Sequence, residues 1–263
     1  MKLCALIKQV PDMEKVRFDR GKGVIDRKSA GVEVNPFDLH ALEEAVKIKQ
    51  QFEGELIVIS MGPASAEKAV REGLARGADQ GVLVTDPKFA GSDTWATAFI
   101  LARVIEFLGD DFDLIISGVM SVDGDTAQVG PQVAEQLGIV HASFVSGLDS
   151  IDLRSIQVTT ELWDAYYQVT MNLPALITVT KDINTPSLPT FKNKKKARKA
   201  EITTINLETI PALTPEMVGT GGSPTRVRDI MVPEPPVRAG KIWEANPEEA
   251  FEAIRLHLTE RNL

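Results

Sequence analysis

The sequence predicts an α/β fold with a mostly parallel sheet, helices on both faces, and a C-terminal arm and helix. Short apolar runs alternate with segments of helical spacing through the first two thirds of the chain, an order typical of parallel sheets with helical crossovers. The 263 residues suffice for one large α/β domain, or one domain with an extension. In such a sheet a ligand is expected beyond the carboxyl ends of the strands, where the strand order reverses.

Strands are predicted where short apolar runs end in turn residues, and helices where apolar residues recur every three or four positions. The helix ends carry their own signals. Gly77 is expected to end one helix in the left-handed conformation, and Ser92 or Asp93 to cap the next. The predicted strands are 3–7, 56–60, 81–84, 114–117 and 176–179, with hairpin arms at 155–160 and 166–172. The predicted helices are 37–52, 66–76, one ending at 108, 131–137 and 247–258.

The last third of the chain has a different composition. From residue 180 onward it is rich in Pro, Asn and Lys, and the stretch 209–236 is predicted to be an arm or linker outside the core. The predicted division is an α/β nucleotide-binding domain at 1–205 and an arm with a helix at 206–263. A long arm and a detached helix usually need a surface to lie against, so we expect them to pack on a partner subunit.

Composition limits the function classes. A net charge of −8 argues against a general nucleic-acid binder. The single cysteine, Cys4, cannot form an internal disulfide, and the three scattered histidines offer no metal-ligand spacing. No apolar run approaches a signal peptide or a membrane span. We therefore expect a soluble, cytoplasmic protein.

The most informative segment is 115–137. An apolar strand ends at Ser117-Gly118, a loop of small polar residues follows, and Pro131 is predicted to open a helix. A strand that leads through such a loop into a helix aims free N–H groups and the positive end of the helix dipole at one point, which suits a phosphate. The alternative is an ordinary turn between a strand and a helix. The loop fits neither of the common glycine-rich nucleotide motifs.

Short motifs in a fixed order resemble those of electron-transfer flavoprotein β subunits along essentially the whole chain. They are KQVPD at 8–12, VNPFD at 34–38, ALEEA at 41–45, SMGPA at 60–64, GAD at 77–79, the loop 123–134, NLPA at 172–175, and LP at 188–189 ahead of the basic run 192–199. The resemblance implies a fold like that of adenine-nucleotide α-hydrolases (HUP-like). It also implies a heterodimer with a larger α subunit, and a flavin or AMP held by this chain.

The resemblance also implies which residues contact the nucleotide. Leu6 is expected to reach the adenine through its backbone, and Met61 to pack near the base. The turn on the adenosine side comprises Asn35, Pro36, Phe37 and Asp38. The loop that wraps the phosphates comprises Asp123, Gly124, Asp125, Thr126, Ala127, Gln128, Val129, Gly130, Pro131, Gln132, Val133 and Ala134.

The residues of these two segments fit such a role physically. Asn35-Pro36 is expected to leave backbone amides available, and Thr126 and Gln128 offer neutral donors. The loop has no Lys or Arg, so N–H groups, the helix end or the α subunit must meet the phosphate charge. Asp123 and Asp125 are then expected to accept from loop amides or a ribose hydroxyl, or simply to cap the helix.

Family members hold either AMP or a second FAD in this subunit. In the FAD-holding group NADH reduces this flavin, one electron goes to ferredoxin or flavodoxin, and the other passes through the α-subunit FAD to a dehydrogenase. The loop resembles this group, because Gly124, Ala127 and Val129 stand where AMP-holding members have bulkier polar residues. The prediction is therefore a bifurcating β subunit with FAD, and a simple carrier with AMP is the alternative.

Residues 89–97 also resemble the FAD-holding group. Gly91, Asp93 and Thr94 open a helix, and we expect them to receive the phosphates of the flavin or of NADH. The alternative is a capped helix with no ligand.

A second predicted interface is the segment 182–199, here called the docking loop. It resembles the family's recognition loop, in which a leucine anchors in an apolar pocket of the partner dehydrogenase. Leu188, Phe191 and Lys195 are the predicted contacts, and an acyl-CoA or a lactate dehydrogenase fits equally well. The basic run would steer an acidic partner, or it is a solvated face.

Two other classes compete with a redox carrier subunit. One is a regulatory module that senses AMP or ATP, and the other is an adenylating enzyme, for which Lys8 is the only basic candidate after the first strand. No catalytic residue is assigned, because in a flavoprotein the cofactor performs the chemistry. Cys4 is expected to be a small core residue, and His40, His141 and His257 are given no role.

Overall fold

The computed structural model describes residues 1–12, 17–19, 24–26, 31–109, 111–226, 228 and 246–260. The chain divides into two compact units, 1–228 and 229–263. The strands are β1 (Lys2–Ile7), β2 (Gln9–Pro11), β3 (Arg17–Asp19), β4 (Val24–Asp26), β5 (Val32–Val34), β6 (Glu55–Met61), β7 (Gln80–Val84), β8 (Leu114–Gly118), β9 (Val140–Ile151), β10 (Ser155–Leu162), β11 (Ala165–Asn172), β12 (Ala175–Val179) and β13 (Thr203–Ile205). The helices are α1 (Pro36–Phe52), α2 (Glu67–Arg76), α3 (Thr94–Leu108), α4 (Val129–Leu137), α5 (Phe191–Ala197), α6 (Gly219–Gly222) and α7 (Pro247–Glu260).

The central sheet has nine strands in the order β11-β10-β9-β12-β8-β1-β6-β7-β13. The strands from β12 to β13 run parallel to one another, and β9 is parallel to β12 but antiparallel to β10. The hairpin of β10 and β11 completes the sheet at one edge. The chain moves from β1 outward to β7 and then returns to β8 on the other side of β1, so the order reverses between β1 and β8. This confirms the predicted mostly parallel sheet.

Helices cover both faces of this sheet, as predicted. Leu3, Ala5 and Ile7 of β1 point to the side covered by α1 and α2. Cys4 and Leu6 point to the other side, where α3 and α4 pack. The two-residue period of a strand thus divides one apolar run between two cores. Cys4 is fully buried, and burial raises the pKa of its thiol.

Several elements differ from the prediction. The strand β9 was not predicted, because its sequence mixes polar residues and glycine and its pairing contains register shifts. Helix α4 begins at Val129, two residues before Pro131. Gly77 ends α2 as predicted and with a positive φ of +130°, but its ψ of 6° departs from the αL values expected. Helix α5 lies in a segment that the sequence predicts to be a loop, because its basic sequence has no apolar stripe.

The prediction that residues 209–236 lie outside the core is wrong for their described first part. Ile210, Leu213 and Val218 are buried in the same core as α3. These apolar residues are widely spaced among prolines and glycines, so they form no recognisable period. The rest of this predicted stretch, 229–236, lies outside the described residues. No helix in the described part of the chain is both long and apolar enough to cross a bilayer.

Candidate functional site

The carboxyl ends of β1, β6 and β8 bring the predicted base-contacting residues together. Leu6 lies beside Ile59 in the register of β1 and β6, and Met61 follows two residues later on the same face. That face also carries the N-terminal ends of α3 and α4. The site therefore lies beside the reversal of strand order, where ligands bind in open α/β sheets.

The loop before α4 leaves the N-terminus of the helix without a side-chain cap. Gln128 occupies the cap position but makes no side-chain hydrogen bond to the helix. Asp125 and Ala127 have φ values of +51° and +53°, a region that residues other than glycine seldom adopt. Backbone strain of this kind is often concentrated at ligand sites. An uncapped helix N-terminus offers its N–H groups and dipole to an anion.

Glycines allow α4 and α1 to lie directly against the strand ends. A Cβ on Gly130 would collide with the Thr178 side chain and would lie 3.1 Å from Ser117 Oγ. A Cβ on Gly118 would collide with the Asp38 carboxylate and would lie 2.7 Å from Phe37 Cβ. Gly124 differs from both, because among the described residues only Ser121 Oγ lies within 4 Å of its Cβ position, at 3.6 Å.

The predicted turn at 35–38 joins three parts of the site. Asn35 is buried, and its side chain donates to the Met120 carbonyl (2.8 Å) and accepts from the Val122 amide (3.1 Å). The Asp38 carboxylate accepts from the amides of Lys8 (2.7 Å) and Gly118 (3.1 Å). The expectation of available amides is wrong for Asn35 and Asp38, because these N–H groups donate to the carbonyls of Lys8 and Asn35, respectively.

Asp38 is unusual because its carboxyl group is buried. Burial raises its pKa to about 7, while hydrogen bonds from the Asn35 side chain and from the two amides act in the opposite direction. Through the two amide hydrogen bonds, the Asp38 side chain fixes the ends of β1 and β8 against the start of α1.

Lys8 supplies the cation that the loop itself lacks. Its Nζ lies 2.7 Å from Asp123 Oδ1 and 3.2 Å from Ser121 Oγ. Partial burial tends to raise the pKa of Asp123, but hydrogen bonds from Lys8 and Ser121 outweigh it and lower the pKa. The structure thus pairs Asp123 with Lys8, whereas the sequence suggested a loop amide or a ribose hydroxyl. The signal was the position of Lys8 directly after β1.

The remaining loop residues divide into exposed and buried groups. Thr126 and Gln128 are exposed, as are Gly124 and Asp125. Val133 and Ala134 are fully buried against the sheet, so their side chains belong to the core. Ser117 Oγ and Gln132 Oε1 are buried without a hydrogen-bond partner among the described residues. These two buried atoms lie on β8 and in the first turn of α4, respectively.

The loop before α3 is capped and covered. Asp93 Oδ1 accepts from the Ala96 amide (3.0 Å), and Oδ2 accepts from the Thr225 amide (2.9 Å) and hydroxyl (2.7 Å). The segment 218–225, here called the strap, also places Ser223 Oγ 2.9 Å from the Asp93 amide. Gly91 has φ +79°, and a Cβ there would meet the Thr220 side chain. These contacts are those of a capped helix; a phosphate contact from Gly91, Asp93 or Thr94 stays a prediction.

One hydrogen bond joins the two loops. The Thr94 hydroxyl donates to Gln128 Oε1 at 2.9 Å. The sequence did not predict this contact, because the two residues lie 34 positions apart.

The docking loop exposes its apolar residues. Leu188 and Phe191 have 85% and 81% of their surface exposed, and Lys195 is also exposed. Within the described residues, no three His, Cys, Asp or Glu side chains are grouped closely enough to bind a metal ion.

The fold is that of an α/β protein with a mostly parallel sheet, and the candidate site lies where the strand order reverses. Residues 22–210 match the family model described as the electron transfer flavoprotein domain. The chain is 39% identical over 264 residues to the electron transfer flavoprotein subunit beta of Thermoanaerobacterium thermosaccharolyticum, covering 100% of both chains. It is 38% identical to the subunit of the same name from Megasphaera elsdenii, covering 91% of this chain and 90% of that one. It is also 38% identical to the caffeyl-CoA reductase-Etf complex subunit CarD of Acetobacterium woodii, covering 86% of each.

The chain therefore belongs to the electron transfer flavoprotein family, in which it has the electron-transfer role of a β subunit. A β subunit implies an α-subunit partner, and the family implies involvement of a flavin or nucleotide.

Proposed function

We propose that this chain holds FAD at the loop before α4, accepts electrons from NADH and bifurcates them. One electron goes to ferredoxin or flavodoxin, and the other passes through the α-subunit FAD to a flavin-dependent dehydrogenase in the cytoplasm. The observation that carries the nucleotide site is the uncapped N-terminus of α4 at the reversal of strand order. When bound, FAD supplies hydride acceptance and single-electron transfer.

The chain's own residues orient the cofactor and balance its charge. The amides at the start of α4 and the Thr126 hydroxyl face the phosphates, and Leu6 and Met61 lie on the face that receives the adenine. Ser117 Oγ adds a buried donor that has no hydrogen-bond partner among the described residues. Since Lys8 already pairs with Asp123, the phosphates do not meet an uncompensated carboxylate there.

One observation favours FAD over AMP. Gly124, Ala127 and Val129 are small, and the space around the Cβ position of Gly124 is open. The left-handed conformations of Asp125 and Ala127 are strained, and contacts with either nucleotide would offset that cost. AMP as a structural filler is the alternative.

The family and the exposed surfaces support the proposed partners. The relative CarD is named as part of a complex of a caffeyl-CoA reductase with an electron transfer flavoprotein, which favours an acyl-CoA type of dehydrogenase over a lactate type. Leu188, Phe191 and Lys195 of the docking loop would contact this enzyme. Residues 206–263 would contribute the arm and helix that pack on the α subunit.

The test is the flavin content of the purified heterodimer and of two variants. The wild type should hold a flavin in each subunit. Gly124→Phe fills the open space and should expel the flavin of this chain while the α-subunit flavin stays. Gly124→Ala is the matched control, because a methyl group makes only an ordinary contact with Ser121, and it should keep both flavins.

Other outcomes point to other functions. A single flavin with bound AMP would identify a simple electron carrier, and no flavin with reversible AMP or ATP binding would favour the sensing module. Unchanged flavin content in Gly124→Phe would contradict the proposed position of the cofactor.

A further inference from the structure

Ser187, which precedes the exposed Leu188 of the docking loop, forms hydrogen bonds through its amide, its hydroxyl and its carbonyl. The Ser187 amide and hydroxyl both donate to Glu43 Oε2, at 2.9 and 2.8 Å. The Ser187 carbonyl accepts from Arg76 Nη1 at 2.7 Å. Glu43 lies on α1 and Arg76 on α2, so two helices hold one loop residue. Glu43, Arg76 and Ser187 are here called the clamp.

The clamp is itself well anchored. The Arg76 side chain has only 10% of its surface exposed, and its Nε donates to Glu72 Oε1 at 3.0 Å. Three residues before Ser187, the Asn184 side chain donates to the His40 carbonyl (3.0 Å) and to Glu44 Oε2 (2.9 Å). The loop is therefore fastened to α1 at two points before it reaches Leu188.

The far side of the docking loop is fastened as well. Arg71 of α2 donates through Nη1 to the carbonyls of Ala197 (2.8 Å), Arg198 (3.2 Å) and Ala200 (3.2 Å). These carbonyls lie at the last residue of α5 and just beyond it, and the Ala197 carbonyl also accepts from the Ala200 amide. Ala197 is buried, so α5 has a fixed base on α2.

Although these hydrogen bonds restrain the docking loop, the side chain at its tip is almost entirely exposed. Leu188 is bracketed by the clamp on one side and by Pro189 on the other, and yet its side chain is 85% exposed. Proline also restricts the backbone of the residue before it. Loop tips that make no packing contacts usually lack such restraint.

We propose that Glu43 and Arg76 are positioning residues that fix Leu188 in its docking conformation before any partner binds. The proposal rests on the proposed function, because it concerns the same docking loop. The partner surface it fits is an apolar pocket with an acidic rim, since Leu188 and Phe191 project beside a run of exposed lysines. A loop ordered in advance loses less conformational entropy on binding, so the clamp would lower the concentration needed for docking.

The first measurement needs neither cofactor nor dehydrogenase. Amide hydrogen exchange on the full heterodimer should show the Ser187 amide protected relative to a free peptide. In Glu43→Ala this amide should exchange about tenfold faster. Glu106→Ala is the matched control, because Glu106 is likewise a partly exposed helical glutamate with a polar partner, Arg103 at 2.8 Å, but lies on a helix of the other face. It should leave the Ser187 amide unchanged.

The second measurement separates positioning from simple stabilisation. A purified flavin-dependent acyl-CoA dehydrogenase is titrated with the reduced heterodimer, and KM and kcat are determined. Glu43→Ala should raise KM about three- to tenfold with little change in kcat. In the Leu188→Ala background the same substitution should have no further effect, since the clamp acts through that side chain.

The outcomes are distinct. Equal effects of Glu43→Ala with and without Leu188 would overturn the positioning role, as would a wild-type Ser187 amide that exchanges at the free-peptide rate. A wild-type heterodimer that does not reduce the dehydrogenase would overturn the proposed partner and the docking role together. In that case a protected Ser187 amide would show only that the loop is rigid.

Discussion

The two loops that precede α3 and α4 have similar sequences and opposite surroundings. Each combines glycine, threonine and aspartate and leads into a helix on the same face of the sheet. Before α3, Asp93 caps the helix and the strap covers the loop. Before α4, the side chain of the cap residue Gln128 makes no hydrogen bond to its own helix, and the nearby Asp123 is paired with Lys8.

This difference shows what decides whether such a loop can receive a phosphate. The helix dipole and the loop composition are shared, so they do not discriminate. What differs is whether a side chain or a distant segment already uses the helix N-terminus. The bond from Thr225 to Asp93 spans 132 positions, and no local pattern reports it.

A substitution in the strap is expected to have the largest effect on stability, so it tests the difference between the two loops most strongly. Gly219 has φ +60°, and a Cβ there would collide with the Lys88 carbonyl. Gly219→Ala should lower the free energy of unfolding by about 2–3 kcal/mol, measured by urea denaturation. The same substitution in the other loop, Gly124→Ala, should change it by less than about 1 kcal/mol. Similar losses in both variants would mean that the loops do not differ in packing.

The caps provide the next largest contrast. Asp93→Ala removes the acceptor of the Ala96 amide and of both Thr225 donors, so we expect a loss of about 1–2 kcal/mol. Gln128→Ala removes no cap bond, so it should cost about 0.5 kcal/mol or less. Thermal unfolding of the two variants under identical conditions measures the difference. A larger loss in Gln128→Ala would reverse the comparison.

The pH dependence of the free energy of unfolding tests the role of Asp38, which lies beneath the loop before α4. Asp38 has a pKa of about 7 in the fold, above its ordinary value of about 3.9, so the folded state binds a proton that the unfolded state has lost. Between these values stability must therefore fall as the pH rises, by at most about 1.4 kcal/mol per pH unit. Asp38→Asn should remove this slope between about pH 4 and 7. Parallel curves for the two proteins would contradict the assignment.

The smallest effect concerns the bond between the loops. Thr94→Val removes the donor to Gln128 Oε1 and should cost about 0.5 kcal/mol, because the bond is exposed. Flavin content should be unchanged if the loop before α4 holds the phosphates without help from the loop before α3. Loss of flavin in Thr94→Val would mean that the two loops act as one site.

The sequence predicted the parts of the fold that depend on local pattern. The apolar runs of β1, β6 and β8 are recognisable because both faces of these strands are buried, and Asn35-Pro36 marks the start of α1. The prediction missed β9, whose polar residues and glycine are accommodated by pairing on both sides. It also missed the buried residues of 207–218, because their spacing follows the surface they cover and no internal period.

The sequence predicted which segments of the candidate site lie close together, but it did not predict the hydrogen bonds and the ion pair that join them. The loop, the turn at 35–38 and the strand ends could be placed because parallel strands end at one edge of a sheet. The pairing of Lys8 with Asp123 joins residues 115 positions apart. The role of Asp38 likewise depends on two amides that only the tertiary fold brings together. Such contacts leave no mark on local composition.

The outer strand β11 has a consequence for how the cell must produce this chain. It pairs on one side only, with β10, and the exposed aromatic residues Trp163, Tyr166 and Tyr167 lie at its turn and along it. Unpaired strand edges of this kind tend to join other strands and to precipitate. Accumulation of this chain at high concentration should therefore lower the yield of soluble protein.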